Sequence, residues 1–211
     1  MTHKILSLPL GPLQTNCYMI ACTISRKVAV IDPSWDGRGL ARRVEGEGWS
    51  IDKILLTHAH FDHVGGLAEL KSVTKAPIYI HPEAVPMLGM AEAAGRAWGF
   101  AIEPSPPPDE MLSDGQNLAV GELVLNVLYT PGHAPGHVCF YLQEQGVIFD
   151  GDVLFQGSIG RTDLPGGDYK LLMKSIQDKL LPLPDSTLVL SGHGSPTTIG
   201  DEKRWNPFLN G

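Results

Sequence analysis

The stretch Ile51-Asp52-Lys53-Ile54-Leu55-Leu56-Thr57-His58-Ala59-His60-Phe61-Asp62-His63-Val64-Gly65-Gly66 joins two kinds of sequence. Its first half is a largely apolar run, the pattern of a strand buried on both faces in an α/β sheet. Its second half places three of the chain's eight histidines, and an aspartate, within six residues. In an extended segment alternate side chains share a face, so His58 and His60 point together. The chain then turns into a helix, where Asp62 and His63 serve a second point beside the first.

Outward from this stretch the chain reads as strands and helices in alternation. Upstream, "KILSLPL" (4–10), "QTNCYMIACTI" (14–24) and "KVAVIDPS" (27–34) read as strands, and "DGRGLARRVEGEGW" (36–49) as a helix ended by its glycines. Downstream, Val64, Leu67, Leu70 and Val73 recur at three-residue steps and predict one helix from Asp62 to Val73. "PIYIH" (77–81) is a further strand, followed by a helix around 83–97. The four prolines of "EPSPPPDE" (103–110) make an extended surface loop. Beyond it, "QNLAV", "ELVLNVLYTPGH", "HVCFYLQE", "GVIFDGD" and "STLVLSGHG" read as strands, with a helix at about 168–181. Strands with alternating helices in each half predict an α/β (α+β) fold, a four-layer αββα sandwich. The expected organisation is a single domain, 1–211, made of two αβ halves at about 1–100 and 110–211.

Composition narrows the classes further. Of 211 residues, 43% are hydrophobic and 18% charged, with no run approaching the roughly 18 apolar residues of a membrane span. No targeting signal is read at the N-terminus, where Pro9 and Pro12 break the apolar patch. Three cysteines do not suggest a disulfide framework, and the cytoplasm is the expected compartment. A formal charge of −7 without a basic cluster argues against a nucleic-acid partner.

Three more sites share a pattern in which a short apolar strand ends and a polar residue follows among glycines. They are "LYTPGH" with His133, "VIFDGD" with Asp152 and "LVLSGHG" with His193. Ligands in open α/β sheets gather where strand ends meet loops. Seven ligands suit two ions: His58, His60 and His133 for the first, Asp62, His63 and His193 for the second, and Asp152 bridging. Each ion then keeps a position for a bridging water or hydroxide. Imidazole and carboxylate without thiolate suit zinc best, and iron or manganese would accept the same set.

His58-x-His60-x-Asp62-His63, Thr130-Pro131-Gly132-His133, Gly151-Asp152 and Gly192-His193 resemble the metallo-β-lactamase superfamily along nearly the whole chain. Within it, "GDVLFQGSIGRTDLPGGD" and "TTIGDEKRWNPFL" look like the short, single-domain glyoxalase II-like hydrolases. The resemblance implies the αββα fold, two divalent metal ions, and hydrolysis of S-lactoylglutathione to D-lactate and glutathione by a metal-bridging hydroxide. Asp62, Asp152 and His193 are the expected catalytic residues. The small, anionic thioester is the expected partner, with no nucleic acid and no membrane.

Departures from related branches sharpen this. The classical zinc β-lactamases lack the bridging aspartate, so Asp152 argues against antibiotic hydrolysis. In full-length glyoxalase II a C-terminal helical domain holds the glutathione carboxylates, and the Lys and Tyr of its loop align here with Arg161 and Asp163. Arg161 is therefore either a carboxylate clamp for substrate or paired with Asp163 or Asp168. A persulfide dioxygenase looks similar through the same ligands and "GRTD", with one iron on His58, His133 and Asp152. A lactonase or other small-ester hydrolase is a further alternative.

Outside the ligand set, His137 opens a strand and reads as a buried structural histidine or a partner of a ligand. Asp32, ending "AVID", either holds the motif loop or caps a helix. Gly65 and Gly66 allow either close helix packing or a plain turn. His3 and His81 read as ordinary residues, and the three cysteines as small core residues.

Overall fold

A computed structural model describes residues 2–210. They fall into two compact units, one reaching to Leu112 and including Ala119–Leu123, the other comprising Ser113–Leu118 and Val124 onward.

The first unit is built on β1 (His3–Leu10), β2 (Thr15–Cys22), β3 (Lys27–Ile31), β4 (Ser50–Leu55), β5 (Ile78–Ile80) and β6 (Glu110–Met111), hydrogen-bonded in that order. β1, β2 and β3 are antiparallel neighbours, β1 forming one edge of the sheet. From β3 to β6 the strands are parallel. Parallel neighbours need crossovers, which are supplied by α1 (Gly37–Gly46), α2 (Phe61–Val64) with α3 (Leu67–Thr74), and α4 (Val85–Ala97). Strand alternation explains the core: Met19, Val28, Val30, Ile54, Ile78 and Ile80 present one face. Leu40 and Val44 from α1, Leu67 and Leu70 from α3, and Leu88 from α4 close over it. Every residue of β2 is buried.

The single helix expected from Asp62 to Val73 is two helices, α2 and α3, broken at Gly65–Gly66. The glycines have ordinary negative φ, so the turn does not demand them. Close approach does: a Cβ on Gly65 would lie 2.5 Å from the Ser34 carbonyl oxygen and 2.7 Å from the Trp35 ring. One on Gly66 would lie 2.8 Å from the Trp35 carbonyl carbon. The loop after β3 packs directly on the break.

The second sheet runs from β7 (Asn117–Val120) through β8 (Leu123–Tyr129), β9 (Val138–Leu142) and β10 (Val147–Gly151) to two later strands. A two-stranded hairpin, β11 (Leu154–Phe155) and β12 (Ser158–Ile159), and helix α5 (Tyr169–Ser175) intervene before β13 (Leu188–Ser191) and β14 (Thr197–Thr198). Helix α6 (Ile199–Trp205) follows. The helix expected at 168–181 is α5 plus a π-type turn, Ile176–Leu180, capped by Asp168 accepting from the Leu171 N–H. Leu172, Ile176 and Leu180 pack on Cys139, Tyr141, Ile148 and Val189 of the strands. The hairpin, β14 and α6 carry too few periodic apolar residues to stand out in sequence.

β8 and β10 both run antiparallel to β9, and β10 runs parallel to β13. Their C-terminal ends, which carry His133, Asp152 and His193, therefore share one edge of that sheet. Among the described residues no helix is long and apolar enough to cross a membrane. The three cysteines are buried thiols.

Candidate metal centre

In the first unit the motif leaves β4 beside Asp32. This residue is 2% exposed and holds the left-handed conformation at φ 49°, a strain that a non-glycine residue accepts only under tight local constraint. The constraint is visible. Asp32 Oδ1 accepts the Thr57 N–H at 2.8 Å, and Oδ2 accepts the Thr57 hydroxyl at 2.6 Å and His63 Nδ1 at 2.9 Å. With its proton given to Asp32, Thr57 Oγ1 accepts from His58 Nδ1 at 3.0 Å. Thr15 Oγ1 donates to Asp62 Oδ2 at 2.9 Å.

These bonds fix tautomers. A carboxylate oxygen and a committed hydroxyl accept only, so both Nδ1 atoms carry the proton and both Nε2 atoms present lone pairs. His60 Nδ1 lies 3.0 Å from His58 Nε2, and Asp62 Oδ2 lies 3.8 Å from His63 Nε2. The His58 and His63 rings are 4.1 Å apart between centroids. Asp32, His58 and His63 offer atoms within 4.8 Å of one another, but the oxygens of Asp32 are engaged by Thr57 and His63. Asp32 supports the cluster from behind.

The second unit gathers its donors by the same logic. His133 Nδ1 donates to the Arg161 backbone carbonyl at 2.8 Å, an oxygen that can only accept, so Nε2 presents its lone pair. That lone pair faces Asp152 Oδ2 at 3.5 Å, and His193 Nε2 lies 3.7 Å from the same oxygen. His133 and Asp152 are nearly buried; the His193 side chain is 31% exposed. The Asp152 N–H donates to His137 Nε2 at 3.1 Å, which places the His137 proton on Nδ1 toward Thr130 Oγ1 at 3.1 Å. His137 thus holds the backbone of Asp152. Gly160 completes the packing, since a Cβ there would stand 2.0 Å from the Asp152 carbonyl oxygen.

Imidazole nitrogens with lone pairs turned toward one another, or toward a carboxylate, repel unless a proton or a cation lies between them. All seven donors are oxygen or imidazole nitrogen, so each set fits a divalent cation of borderline hardness.

Arg161 has its guanidinium on Asp163, in two bonds of 2.7 Å between exposed side chains. This pairing holds the Asp163 carboxyl down at about 2. Sequence reasoning overlooked four groups that orient the donors: Thr57, Thr15, Thr130 and the Arg161 carbonyl. It also overlooked Asp150, fully buried, whose Oδ2 accepts the Leu154 N–H at 2.8 Å just past the register shift of β10. Burial, with Asp152 nearby, pushes the Asp150 carboxyl well above the usual range. Two acidic residues around one glycine in "FDGD" were its only signal.

Histidine and aspartate donors gathered at the strand ends of an α/β fold define a metal-binding class of protein. Residues 10–193 match the model of the metallo-beta-lactamase superfamily, and the chain belongs to that family. It is 42% identical, over 96% of both chains, to "Hydroxyacylglutathione hydrolase GloC" of Haemophilus influenzae. Among solved structures it is similar to TTHA1623 in a di-iron-bound form (TM-score 0.90, 45% identity, 97% of this chain and 100% of that one). It is also similar to the BLEG-1 B3 metallo-beta-lactamase (TM-score 0.91, 42% identity, 99% and 100%). The chain is a metal-dependent hydrolase of this superfamily with a mixed α/β fold.

Proposed function

We propose that the chain hydrolyses glutathione thioesters, S-lactoylglutathione first among them, as a single domain working in the cytoplasm on a small anionic substrate. The observation that carries the reading is the fixed tautomer of His58, His63 and His133, each holding Nε2 ready to ligate, in a family of metal-dependent hydrolases. His58, His60 and His133 would hold one divalent ion, Asp62, His63 and His193 a second, with Asp152 shared. When bound, such a pair supplies a water of lowered pKa and polarises a carbonyl. Zinc is the expected occupant, and the di-iron form of a similar structure makes iron the first alternative.

The chain's own groups do the rest. Asp32, Thr57, His137 and the Arg161 carbonyl hold imidazoles and backbone in place, so little reorganisation is needed during the reaction. Arg161 exchanges Asp163 for a substrate carboxylate, an exchange between exposed partners of small cost. The leaving thiolate needs no proton donor, because an ordinary thiol has a pKa of about 8.5. A GloC relative described as a hydroxyacylglutathione hydrolase supports the substrate.

The test is thiol release from S-lactoylglutathione by protein loaded in turn with zinc, iron and manganese, with metal counted per chain. Background rates for all three remove this substrate. One iron per chain with oxygen consumed on glutathione persulfide would point instead to a dioxygenase. A second reading, β-lactam hydrolysis, draws support from the likeness to BLEG-1, against the argument from Asp152 above. Opening of a chromogenic cephalosporin faster than thioester cleavage would select it.

A further inference from the structure

The tail segment "TTIGDEKRWNPFL" (197–209) takes no part in the reaction above, but it carries a buried acid. Glu202 of α6 is 3% exposed, and Asn206, one turn further on, is fully buried. A carboxylate taken out of water is costly unless hydrogen bonds replace its solvation. Three donors do so here. The Gly157 N–H at 2.9 Å and Asn206 Nδ2 at 2.7 Å meet Oε2, and the Thr197 hydroxyl meets Oε1 at 2.5 Å. Asn206 Nδ2 also donates to the Ser158 carbonyl at 2.9 Å. Capping of its own helix does not explain Glu202, because Thr198 Oγ1 already accepts the Asp201 N–H at the start of α6. Its bonds leave the helix for the turn of the β11–β12 hairpin and for β14.

Both destinations adjoin metal donors. The hairpin follows Asp152 and returns at Arg161, its base closed by the Gly160 N–H on the Val153 carbonyl at 3.1 Å. Gly160 packs on the Asp152 carbonyl, and the Arg161 carbonyl orients His133. The Leu154 carbonyl accepts the hydroxyl of Ser191, two residues before His193, at 2.7 Å, and the rings of Phe155 and His193 lie 6.4 Å apart between centroids. Thr197 stands in β14, four residues beyond His193. We infer that Glu202 is a positioning residue for the metal centre: through Gly157 and Thr197 it fixes the hairpin and the His193 loop relative to each other, and with them Asp152, His133 and His193. The inference rests on the reading of these three as metal ligands and deepens it. Ligation needs donors held to within about 0.5 Å. A hairpin with two residues in each strand is too short to hold its own place.

The test compares Glu202→Ala with Glu202→Gln and Thr197→Val. Glutamine keeps the shape and an acceptor oxygen for Gly157 and Asn206, while its amide donates to the Thr197 oxygen. Zinc affinity, read by competition with a chelator, should fall about tenfold in Glu202→Ala, less in Thr197→Val, and recover in Glu202→Gln. In the metal-free protein, hydrogen exchange of the hairpin amides should quicken in Glu202→Ala while β9 and β10 keep their protection, a local signature that general destabilisation would not give. Unchanged zinc affinity in Glu202→Ala, no recovery with glutamine, or exchange that quickens equally across the second unit overturns the inference. Should Glu202→Ala fail to fold, Thr197→Val decides: weaker zinc binding supports the brace, and unchanged binding overturns it. If the affinities follow the expected order while S-lactoylglutathione is untouched, the substrate is wrong and the brace stands.

Discussion

At Asp32 one carboxylate serves three donors from a strained backbone, and this makes it the most informative residue to change. Asparagine tolerates the left-handed conformation, so Asp32→Asn should keep the turn while losing the charge that fixes His63. Metal affinity, read by competition with a chromophoric chelator, should fall about 10–100-fold with the fold retained. Asp152→Ala should remove bound metal and activity together, measured by elemental analysis and thiol release. The seven candidate donors stand out in the sequence because His and Asp follow short apolar strands, where loops at strand ends gather ligands. Thr57 was not legible: a threonine before a motif is common, and only the Asp32 carboxylate, 25 positions away, gives it a direction. Asp150 escaped for a related reason, since its burial follows from a register shift that no residue pattern announces.

The break between α2 and α3 turns on two Cβ atoms that are missing. Gly65→Ala would force its methyl against the Ser34 carbonyl and the Trp35 ring. A loss of about 1–3 kcal/mol is expected in urea unfolding, in the range of an overpacked interior, with weaker metal binding because α2 carries Asp62 and His63. Three-residue spacing of apolar side chains suggested one helix, and it missed the break because the demand comes from Trp35, a residue of another loop. Elsewhere the main strands and helices were legible from periodicity. The short β14 and the tail helix α6 were not, being too brief or too polar for any period to show.

Asp109 is a second case of an element held by one side chain. Its Oδ2 accepts Lys71 Nζ at 2.7 Å and the Ile78 N–H at 2.8 Å, tying α3, β5 and the approach to β6. The Lys71 hydrogen bond leads in holding its carboxyl below the usual value. A depressed folded pKa contributes stability above the unfolded pKa, about 4, and loses it as pH falls through the folded value. Asp109→Ala should therefore lower stability near neutrality, by less than about 1 kcal/mol for so exposed a pair. The difference from the unsubstituted protein should shrink toward zero as the pH is taken below 4, in thermal melts across pH.

For the whole chain, each unit brings its own cluster of metal donors, and a cation that binds only the folded state stabilises it. Zinc at a hundred times its Kd should raise stability by about 2.7 kcal/mol, and chelation should reverse the gain in a thermal melt. The first sheet also ends in an eight-residue strand, β1, whose outer rim faces no further strand among the described residues. A proline within a ladder tolerates only a position where its nitrogen points away from the paired neighbour, so Pro9 interrupts the outward row of donors on that rim. Without it, the rim would present an uninterrupted template to any other extended chain. Pro9→Val should accordingly leave monomer activity in place while light scattering grows with concentration and storage, so that this one ring acts as a guard against self-assembly.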